Sequence, residues 1–353
     1  MEEERAIKEI AKILVEYSCK VKKGEHVYIA ADLPAKLLIM EVYRLILKKG
    51  AYPVLNWCVE GFSPIYYDNT TDEQLKKKPE ITEFSYRKCS AFMFIRAPIN
   101  RLELKNSDPE KIALRQKTLK QINDIRLKKK WVIFDWPTKS LAKDAGMSLQ
   151  AYKKFVFDAA IQNWKEKSAA WKKIADFLNK SKKVQILTND TDLTFSIKGR
   201  KAIVGNGTYN MPDGEVFTSV VDNSAKGKIK FTYPLRHHGQ KIGKIYLEFE
   251  DGKVVKFGSD NNDALRTLLH TDNGARLIGE FAFGMNPNVN KFTDNLLLDE
   301  KIGGTIHLAL GNAYKECKGK NESAVHADIV KDMSKGKILI DDKLVYENGK
   351  FLI

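Results

Sequence analysis

The stretch HVYIAADLPAKLLIMEVYRLILKKGAYPVLNWCV, residues 26–59, decides the fold of the first half of the chain. It begins with a short apolar run typical of a buried strand, continues as an amphipathic helical pattern that stops at Gly50, and ends in a second apolar run. Two further apolar runs, at residues 89–98 and 130–137, follow with helical stretches between them. Strands that alternate with helices predict a mostly parallel sheet covered by helices.

The second half of the chain has a different pattern. A long helical region is predicted over residues 149–180, where Trp164 and Trp171 are expected to pack between helices. The segments that follow, such as KVQILT and TDLTFSIKG, alternate as β-strands do and are separated by Gly, Asn and Asp turns. We therefore predict an α/β domain over residues 1–180 and a β-rich α+β domain over residues 181–353, since 353 residues exceed the usual size of one core.

The composition, with 43% hydrophobic and 30% charged residues, is that of an ordinary globular protein. The net charge is +15, but the lysines fall in short runs at helix ends or on helix faces. We interpret them as a solvated surface and expect no nucleic-acid partner. Four scattered cysteines favour a reducing compartment. Neither a signal sequence nor a run as long as a membrane span is evident, so we expect a cytoplasmic protein without membrane attachment.

Acidic residues and histidines are concentrated late in the chain, in PDGEVFTSVV, GEFAFG, LLLDEKIGGTIHLALGNAY and ESAVHADIV. Carboxylates and imidazoles are ligands of zinc, cobalt or manganese, and this set is too rich in oxygen for a structural zinc site built from thiolates. The segments predict a two-metal hydrolytic centre in the second domain. Its candidate members are Glu215, Glu280, Glu300, His307, Tyr314, His326 and Asp328.

Local spacing predicts how some of these side chains are arranged. The segment TIHLALGNAYKE has helical periodicity, so we expect His307 and Tyr314 to lie two turns apart on one helix face. Glu300 would then lie in the approach to that helix. The spacing of His326 and Asp328 is that of a strand, which puts both side chains on one side, where they can hold the same cation.

The two upstream glutamates have different surroundings. Glu215 follows a turn and begins a strand, a position where a glutamate by itself is usually exposed. Glu280 is next to Phe281 in an apolar segment, where a buried carboxylate must be paired or bound to metal. The other histidines are interpreted as residues outside the site: His26, His237, His238 and His270.

The motifs FDWPTKSLAKDAGMSLQAYKKFVFDAA, NDTDLTFSIKGR, PDGEVFTSVVDNSAKGKIKF, GEFAFGMNPN, LDEKIGGTIHLALGNAY and HADIV together carry a resemblance that runs essentially from end to end. The chain resembles the thermophilic-type metallo-aminopeptidases, the aminopeptidase T and aminopeptidase S family. This resemblance implies a homodimer with an N-terminal α/β domain and a C-terminal metal domain. It also implies two divalent cations (zinc, cobalt or manganese) and peptide substrates with a free N-terminus.

The resemblance also implies a role for each candidate residue. Glu215 matches the carboxylate that bridges the two metals, and a water held between the metals would be the nucleophile. The other implied ligands are Glu280, His307, His326 and Asp328. Glu300 matches the general base, and Tyr314 matches a group that binds a metal or donates to the oxyanion. Between Glu300 and His307 this chain has a longer glycine-containing insert than the best-known members.

The sequence leaves two other functions open. Ring-cleaving dioxygenases of the dihydroxypyridine type resemble the same fold but use a single iron in a His-rich open site and lack the full set of carboxylates. Glu215, Glu280 and Glu300 are all present here, which favours hydrolysis. A basic, non-catalytic binding protein is the third possibility, and it predicts salt-dependent affinity for nucleic acid.

Overall fold

The computed structural model describes residues 2–237 and 239–352, so His238 lies outside the described residues. Contacts divide the chain into two compact units. The first comprises Met1–Gln162 and Gly207–Pro212, and the second comprises Asn163–Asn206 and Asp213–Ile353. The domain boundary predicted from the sequence, at residue 181, lies eighteen residues further along the chain than Asn163, where the second unit begins.

The first half of the chain alternates helices with strands. Its helices are α1 (Glu2–Lys12), α2 (Lys36–Lys48), α3 (Phe62–Asn69), α4 (Asp72–Lys76), α5 (Glu80–Lys88), α6 (Pro109–Leu127), α7 (Lys139–Asp144) and α8 (Leu149–Ala160), with a π-helical turn at Ile13–Ser18 and a 3-10 turn at Leu33–Ala35. Its strands are β1 (His26–Asp32), β2 (Tyr52–Cys58), β3 (Ala91–Arg96) and β4 (Lys130–Asp135).

The second half is rich in strands. Its helices are α9 (Trp164–Leu178), α10 (Asn262–Leu269) and α11 (Leu296–Asp299), with 3-10 turns at Asn273–Arg276 and Lys315–Cys317. Its strands are β5 (Lys183–Thr188), β6 (Thr191–Ser196), β7 (Ile203–Gly205), β8 (Asn210–Met211), β9 (Glu215–Thr218), β10 (Lys226–Lys230), β11 (Leu235–His237), β12 (Gln240–Ile242), β13 (Tyr246–Glu250), β14 (Lys253–Gly258), β15 (Ile278–Gly284), β16 (Thr305–Gly311), β17 (His326–Asp332), β18 (Lys337–Ile340), β19 (Lys343–Glu347) and β20 (Lys350–Phe351).

The first unit is built on one parallel sheet with strand order β2-β1-β3-β4-β8. The apolar runs predicted as strands form β1 to β4. Strands β1, β3 and β4 are mostly buried, as apolar residues on both faces of a covered parallel sheet require, whereas the residues of the edge strand β2 are exposed or half-buried. Gly50 has a φ of 69°, a left-handed conformation that suits the residue just past the end of α2. The predicted α/β fold of the N-terminal part is confirmed.

The second unit contains two large antiparallel sheets and a two-stranded antiparallel sheet formed by β11 and β12. An eight-stranded sheet has the order β14-β13-β10-β6-β5-β18-β19-β20, and a five-stranded sheet has the order β17-β16-β15-β9-β7. Phe195 on β6 contacts Phe281 on β15 with ring centroids 5.1 Å apart, and Phe283 contacts Tyr346 on β19 at 5.3 Å. These aromatic contacts form a core between the two sheets. The predicted β-rich α+β fold of the C-terminal part is therefore confirmed.

Helix α9 belongs to the second unit, where it contacts β7 and β9. Trp164 and Trp171 are both buried and pack edge to face, with centroids 6.2 Å apart. The single helical region predicted over residues 149–180 is divided into α8 and α9 by residues 161–163. None of the helices in the described part of the chain combines the length and apolar character that a membrane crossing requires.

The segment TIHLALG forms strand β16, so the prediction of a helix from residue 305 onward was wrong. Ile306, Leu308 and Leu310 alternate with smaller or polar residues, which is the two-residue period of a strand. Gly311 has a φ of 96° and ends the strand before Tyr314. His307 and Tyr314 therefore lie on a strand and on the loop that follows it, and not on one helix face.

Candidate metal centre

Strands β9, β15, β16 and β17 are neighbours in the five-stranded sheet, and together they carry the candidate ligands. Residues opposite one another on neighbouring strands share a face, as do residues two apart on one strand. Ala309 lies opposite Glu280 on β15 and opposite Asp328 on β17, and Ala282 lies opposite His307. Glu280, His307 and Asp328 therefore belong to one face of the sheet.

Two more residues complete this face. Glu215, the first residue of β9, lies opposite Gly284, which is two residues beyond Ala282. His326 lies two residues before Asp328 on β17, as the sequence spacing predicts. The two alanines at positions 282 and 309 are small, which leaves room on this face for the longer acidic and imidazole side chains.

One group of possible ligands consists of Glu215, Glu280 and His307, all of which are buried. The Nε2 atom of His307 is 3.5 Å from Oε2 of Glu215 and 3.6 Å from Oε1 of Glu280. Each of the three residues offers a ligand atom within 4.8 Å of the other two. Nitrogen and oxygen atoms converge here as they do around a divalent cation.

A second group consists of Glu280, His326 and Asp328. The Nε2 atom of His326 is 3.4 Å from Oε2 of Glu280 and 3.5 Å from Oδ2 of Asp328. Nδ1 of His326 is 2.8 Å from the carbonyl oxygen of Asn312, a contact that fixes the ring orientation and leaves Nε2 for the site. Glu280 is the member that both groups share, with one carboxylate oxygen facing each histidine.

Tyr314 and Glu300, the two candidate catalytic residues, border these groups. Oη of Tyr314 is 3.3 Å from Nε2 of His326, and its ring packs edge to face on Phe217 with centroids 5.8 Å apart. Glu300 follows α11, and its side chain is largely buried beside a lysine. All seven residues singled out in the sequence are thus brought together in the second unit.

Lys301 is the residue of this cluster that the sequence analysis missed. Its side chain has 0% exposure, and Nζ is 2.6 Å from Oε1 of Glu215, 2.8 Å from Oε2 of Glu300 and 3.9 Å from Oδ1 of Asp213. A lysine in a loop is usually a surface residue, and nothing in the adjacent sequence indicates burial. The only feature of the sequence that could have suggested a role for Lys301 is its position next to Glu300.

The carboxylates and imidazoles perturb one another strongly. Burial alone would raise the pKa of Glu280, but hydrogen bonds from His307 and His326 outweigh it and lower that pKa to about 2. Burial lowers the pKa of each histidine, yet the surrounding carboxylates raise the pKa of His307 to about 9 and that of His326 to about 10. Burial raises the pKa of Glu215 to about 8 and that of Asp328 to about 7. The cluster therefore attracts positive charge, whether as protons or as cations.

Glu300 and Lys301 also perturb each other's pKa. Burial raises the pKa of Glu300, but the charge of Lys301 outweighs this effect, and the net pKa is below the ordinary value. Burial lowers the pKa of Lys301, whereas Glu215 and Glu300 raise it well above its ordinary value. The lysine is thus a permanent positive charge, and Glu300 is held as a carboxylate at neutral pH.

The residues present fit bound divalent cations. Oε2 of Glu215 and Nδ1 of His307 are buried and have no hydrogen-bond partner within residues 2–237 and 239–352. An acidic oxygen in this state is costly to bury unless a cation binds it. The cluster holds five carboxylates and one ammonium: Asp213, Glu215, Glu280, Glu300 and Asp328 with Lys301. Two dications and neutral imidazoles would bring this set to electrical neutrality.

A fold with a parallel α/β unit and a β-rich unit, together with buried carboxylates and imidazoles that converge in two groups, defines a metal-dependent enzyme. The sequence pattern of the thermophilic metalloprotease (M29) family matches residues 3–351, so the chain belongs to this family and hydrolyses peptide bonds. Aminopeptidase 2 of Geobacillus stearothermophilus is 26% identical over 381 residues, which cover 93% of this chain and 92% of that protein. Aminopeptidase T of Thermus aquaticus is 32% identical over 134 residues, covering 34% of this chain and 33% of that protein.

Two solved structures share the fold. Wild-type AmpT from Thermus thermophilus superimposes with a TM-score of 0.85 at 21% identity and covers 99% of both chains. The 2,5-dihydroxypyridine dioxygenase from Pseudomonas putida KT2440 has a TM-score of 0.63 at 12% identity, covering 99% of this chain and 96% of that one. At these identities the likeness shows the fold alone. The family match does not favour the dioxygenase alternative.

Proposed function

We propose that this protein is an aminopeptidase that removes the N-terminal residue of peptides with the aid of two divalent cations. The observation that carries the proposal is the pair of ligand groups that share Glu280. Two nitrogen- and oxygen-lined groups joined by one carboxylate are typical of two-metal hydrolases. The similarity to Aminopeptidase 2 and Aminopeptidase T supports exopeptidase activity at the amino terminus.

We assign the ligands from the two groups. Glu215 and His307 would hold one cation, His326 and Asp328 would hold the other, and Glu280 would contact both. This assignment differs from the role implied by the family resemblance, in which Glu215 is the bridge. It rests on the distances from the two oxygens of Glu280, each of which faces a different histidine. When bound, the cations would supply Lewis acidity and lower the pKa of a water in the site.

The protein groups around the ligands would handle the protons and the developing charge. Glu300, kept ionised by Lys301, would accept a proton from the attacking water and deliver it to the leaving amine. The hydroxyl of Tyr314, beside His326, would donate a hydrogen bond to the oxyanion of the tetrahedral intermediate. The carboxylates of the site would attract the free α-ammonium group of the peptide, which restricts cleavage to its first bond.

The direct test uses metal-stripped protein and a panel of aminoacyl chromogenic substrates. Zinc, cobalt or manganese is added back separately, and bound metal is counted in each sample. We expect two ions per chain, turnover that a chelator abolishes, and no turnover when the amino group of the substrate is blocked. Cleavage of blocked substrates would contradict the aminopeptidase assignment. A single ferrous ion with oxygen uptake would instead favour the dioxygenase.

Three further expectations from the sequence stay predictions: a homodimer, a cytoplasmic location and the lack of a nucleic-acid partner. The first is tested by light scattering of the metal-loaded protein. The third is tested by titrating labelled single-stranded DNA at low and high salt, because a net charge of +15 would support only weak, strongly salt-dependent binding unless the basic groups form a dedicated surface.

A further inference from the structure

We propose that Lys301 is a positioning residue for this reaction: its ammonium group binds one oxygen of Glu215 and one oxygen of Glu300. The second oxygen of Glu215 is thereby left for a cation, and the second oxygen of Glu300 is left for the attacking water. This inference rests on the proposed function and extends it to a residue that belongs to neither ligand group. A lysine would thus link the metal site to the general base.

The contacts of the two carboxylates support this role. Oε1 of Glu215 is 2.6 Å from Nζ of Lys301, whereas Oε2 of the same residue faces Nε2 of His307 and has no hydrogen-bond partner in the described part of the chain. The ammonium therefore occupies one oxygen and limits Glu215 to coordination through the other. The 2.8 Å contact to Oε2 of Glu300 restricts that side chain in the same way.

The backbone around Lys301 is fixed as well. Its N–H donates to the carbonyl oxygen of Leu298 at 2.9 Å, and its carbonyl oxygen accepts from the N–H of Asn286 at 3.0 Å. The N–H of Gly303 donates to the carbonyl oxygen of Asn286 at 3.1 Å, and a Cβ at position 303 would stand only 2.9 Å from that oxygen. The segment at Gly303 therefore lies close against residue 286, which holds the lysine at one depth in the site.

A fully buried ammonium group must be compensated by nearby negative charge, because removing it from water is unfavourable unless it is paired. The same unit contains a second buried lysine that serves for comparison. Lys331 has 3% exposure, and its Nζ binds Asp190 at 3.0 Å and the carbonyl oxygen of Lys230 at 2.7 Å. Lys331 lies three residues after Asp328 on β17, and side chains an odd number of residues apart point to opposite faces of a strand. Lys331 is therefore on the face of the sheet opposite the candidate ligands.

The experiment replaces Lys301 by methionine in the metal-loaded protein, with Lys331→Met as the matched control for loss of a buried ammonium. In Lys301→Met we expect two ions to be retained, kcat to fall about 10–100-fold and KM to change less than about threefold. A chelator should remove the ions about tenfold less readily, because Glu215 can then bind with both oxygens and one positive charge is gone. Lys331→Met should lower the melting temperature and leave kcat and chelator resistance within about threefold.

A double-mutant cycle with Glu300→Gln separates positioning from general structural support. Glu300→Gln should lower kcat about 10²–10⁴-fold. Adding Lys301→Met to it should change kcat less than about threefold, because the group on which the lysine acts is already lost. The double variant also removes opposite charges together, so it keeps the buried charge balanced.

The proposal is overturned if kcat of Lys301→Met stays within threefold of the parent, or if the two effects on kcat multiply. It is also overturned if Lys301→Met loses its ions more readily than the parent, or if it and the double variant both fail to fold while Lys331→Met folds. A parent protein without turnover would refute the proposed function alone. In that case chelator competition with zinc alone still tests the contact between Lys301 and Glu215.

Discussion

Replacing Glu280 by glutamine provides the sharpest test of how the candidate metal centre is organised. In the structure, Oε1 of Glu280 faces His307 at 3.6 Å and Oε2 faces His326 at 3.4 Å. The substitution keeps the shape of the side chain but removes its charge from both ligand groups. Replacing Glu215 removes a charge from one group only, because Glu215 is 3.5 Å from His307 and belongs to no group with His326.

The expected magnitude follows from Coulomb's law. Two unit charges about 4 Å apart, in a medium with an effective dielectric constant of about 20, interact by about 4 kcal/mol. That free energy corresponds to about a thousandfold in a dissociation constant. We therefore expect Glu280→Gln to weaken both metal equilibria by about three orders of magnitude. Glu215→Gln should weaken one equilibrium by a similar factor and leave the other nearly unchanged.

The assay is metal counting after dialysis against a graded series of chelator concentrations, followed by calorimetric titration with zinc or cobalt. Glu280→Gln should lose both ions at a chelator concentration at which Glu215→Gln retains one. The parent protein and Gly258→Ala, a substitution with no atom within 4 Å of the added methyl group, serve as controls. If Glu215→Gln lost both ions and Glu280→Gln lost only one, the reasoning from distances would be refuted and Glu215 would be the bridge.

Three further predictions concern other parts of the molecule. Tyr314→Phe should retain both ions and lower kcat by about 10²–10³-fold, because the hydroxyl donates a hydrogen bond to the developing oxyanion. The assay uses a saturating chromogenic substrate together with metal counting, and loss of metal would instead make the tyrosine a ligand. Gly205→Ala should weaken metal binding about 10–100-fold, because the new Cβ would stand 2.7 Å from Cγ of Glu215 and displace that side chain. Chelator competition measures the effect, and unchanged metal binding would contradict this steric argument. Alkylation followed by mass spectrometry should modify the exposed Cys58 before the buried Cys19. Burial raises the pKa of both thiols, that of Cys19 to about 12, which leaves Cys19 about a thousandfold less thiolate than an unperturbed thiol, so early modification of Cys19 would contradict its burial.

Much of the fold could be predicted because its signals are local. Strand β1 is a short apolar run that ends before a helix, and α2 stops where Gly50 adopts a left-handed conformation. The seven-residue spacing of His307 and Tyr314 predicts a helix, whereas the alternation of Ile306 with Leu308 predicts the strand β16 that the structure has. Period-two alternation was present in the sequence and was the better guide.

Local sequence patterns predict only part of the candidate metal centre. His326 and Asp328 are two residues apart, so strand geometry alone places them on one side. The meeting of Glu280 with two histidines depends on strand pairing across the sheet, which the sequence suggests only through residue types and family resemblance. The burial of Lys301 depends on Glu215, which is distant along the chain and contacts it only in the folded protein. Contacts of this kind cannot be obtained from local patterns.

The placement of the candidate ligands on paired strands has a consequence for how the protein matures. In a strand, a shift of one residue exchanges the two faces, so a misaligned β15 would present Phe281 to the site and turn Glu280 toward the aromatic core. Cations would then find only part of their ligands, and such molecules would hold metal weakly. Resistance to a chelator could thus serve as a quality check during purification, separating correctly aligned molecules from compact ones in which the strands have slipped.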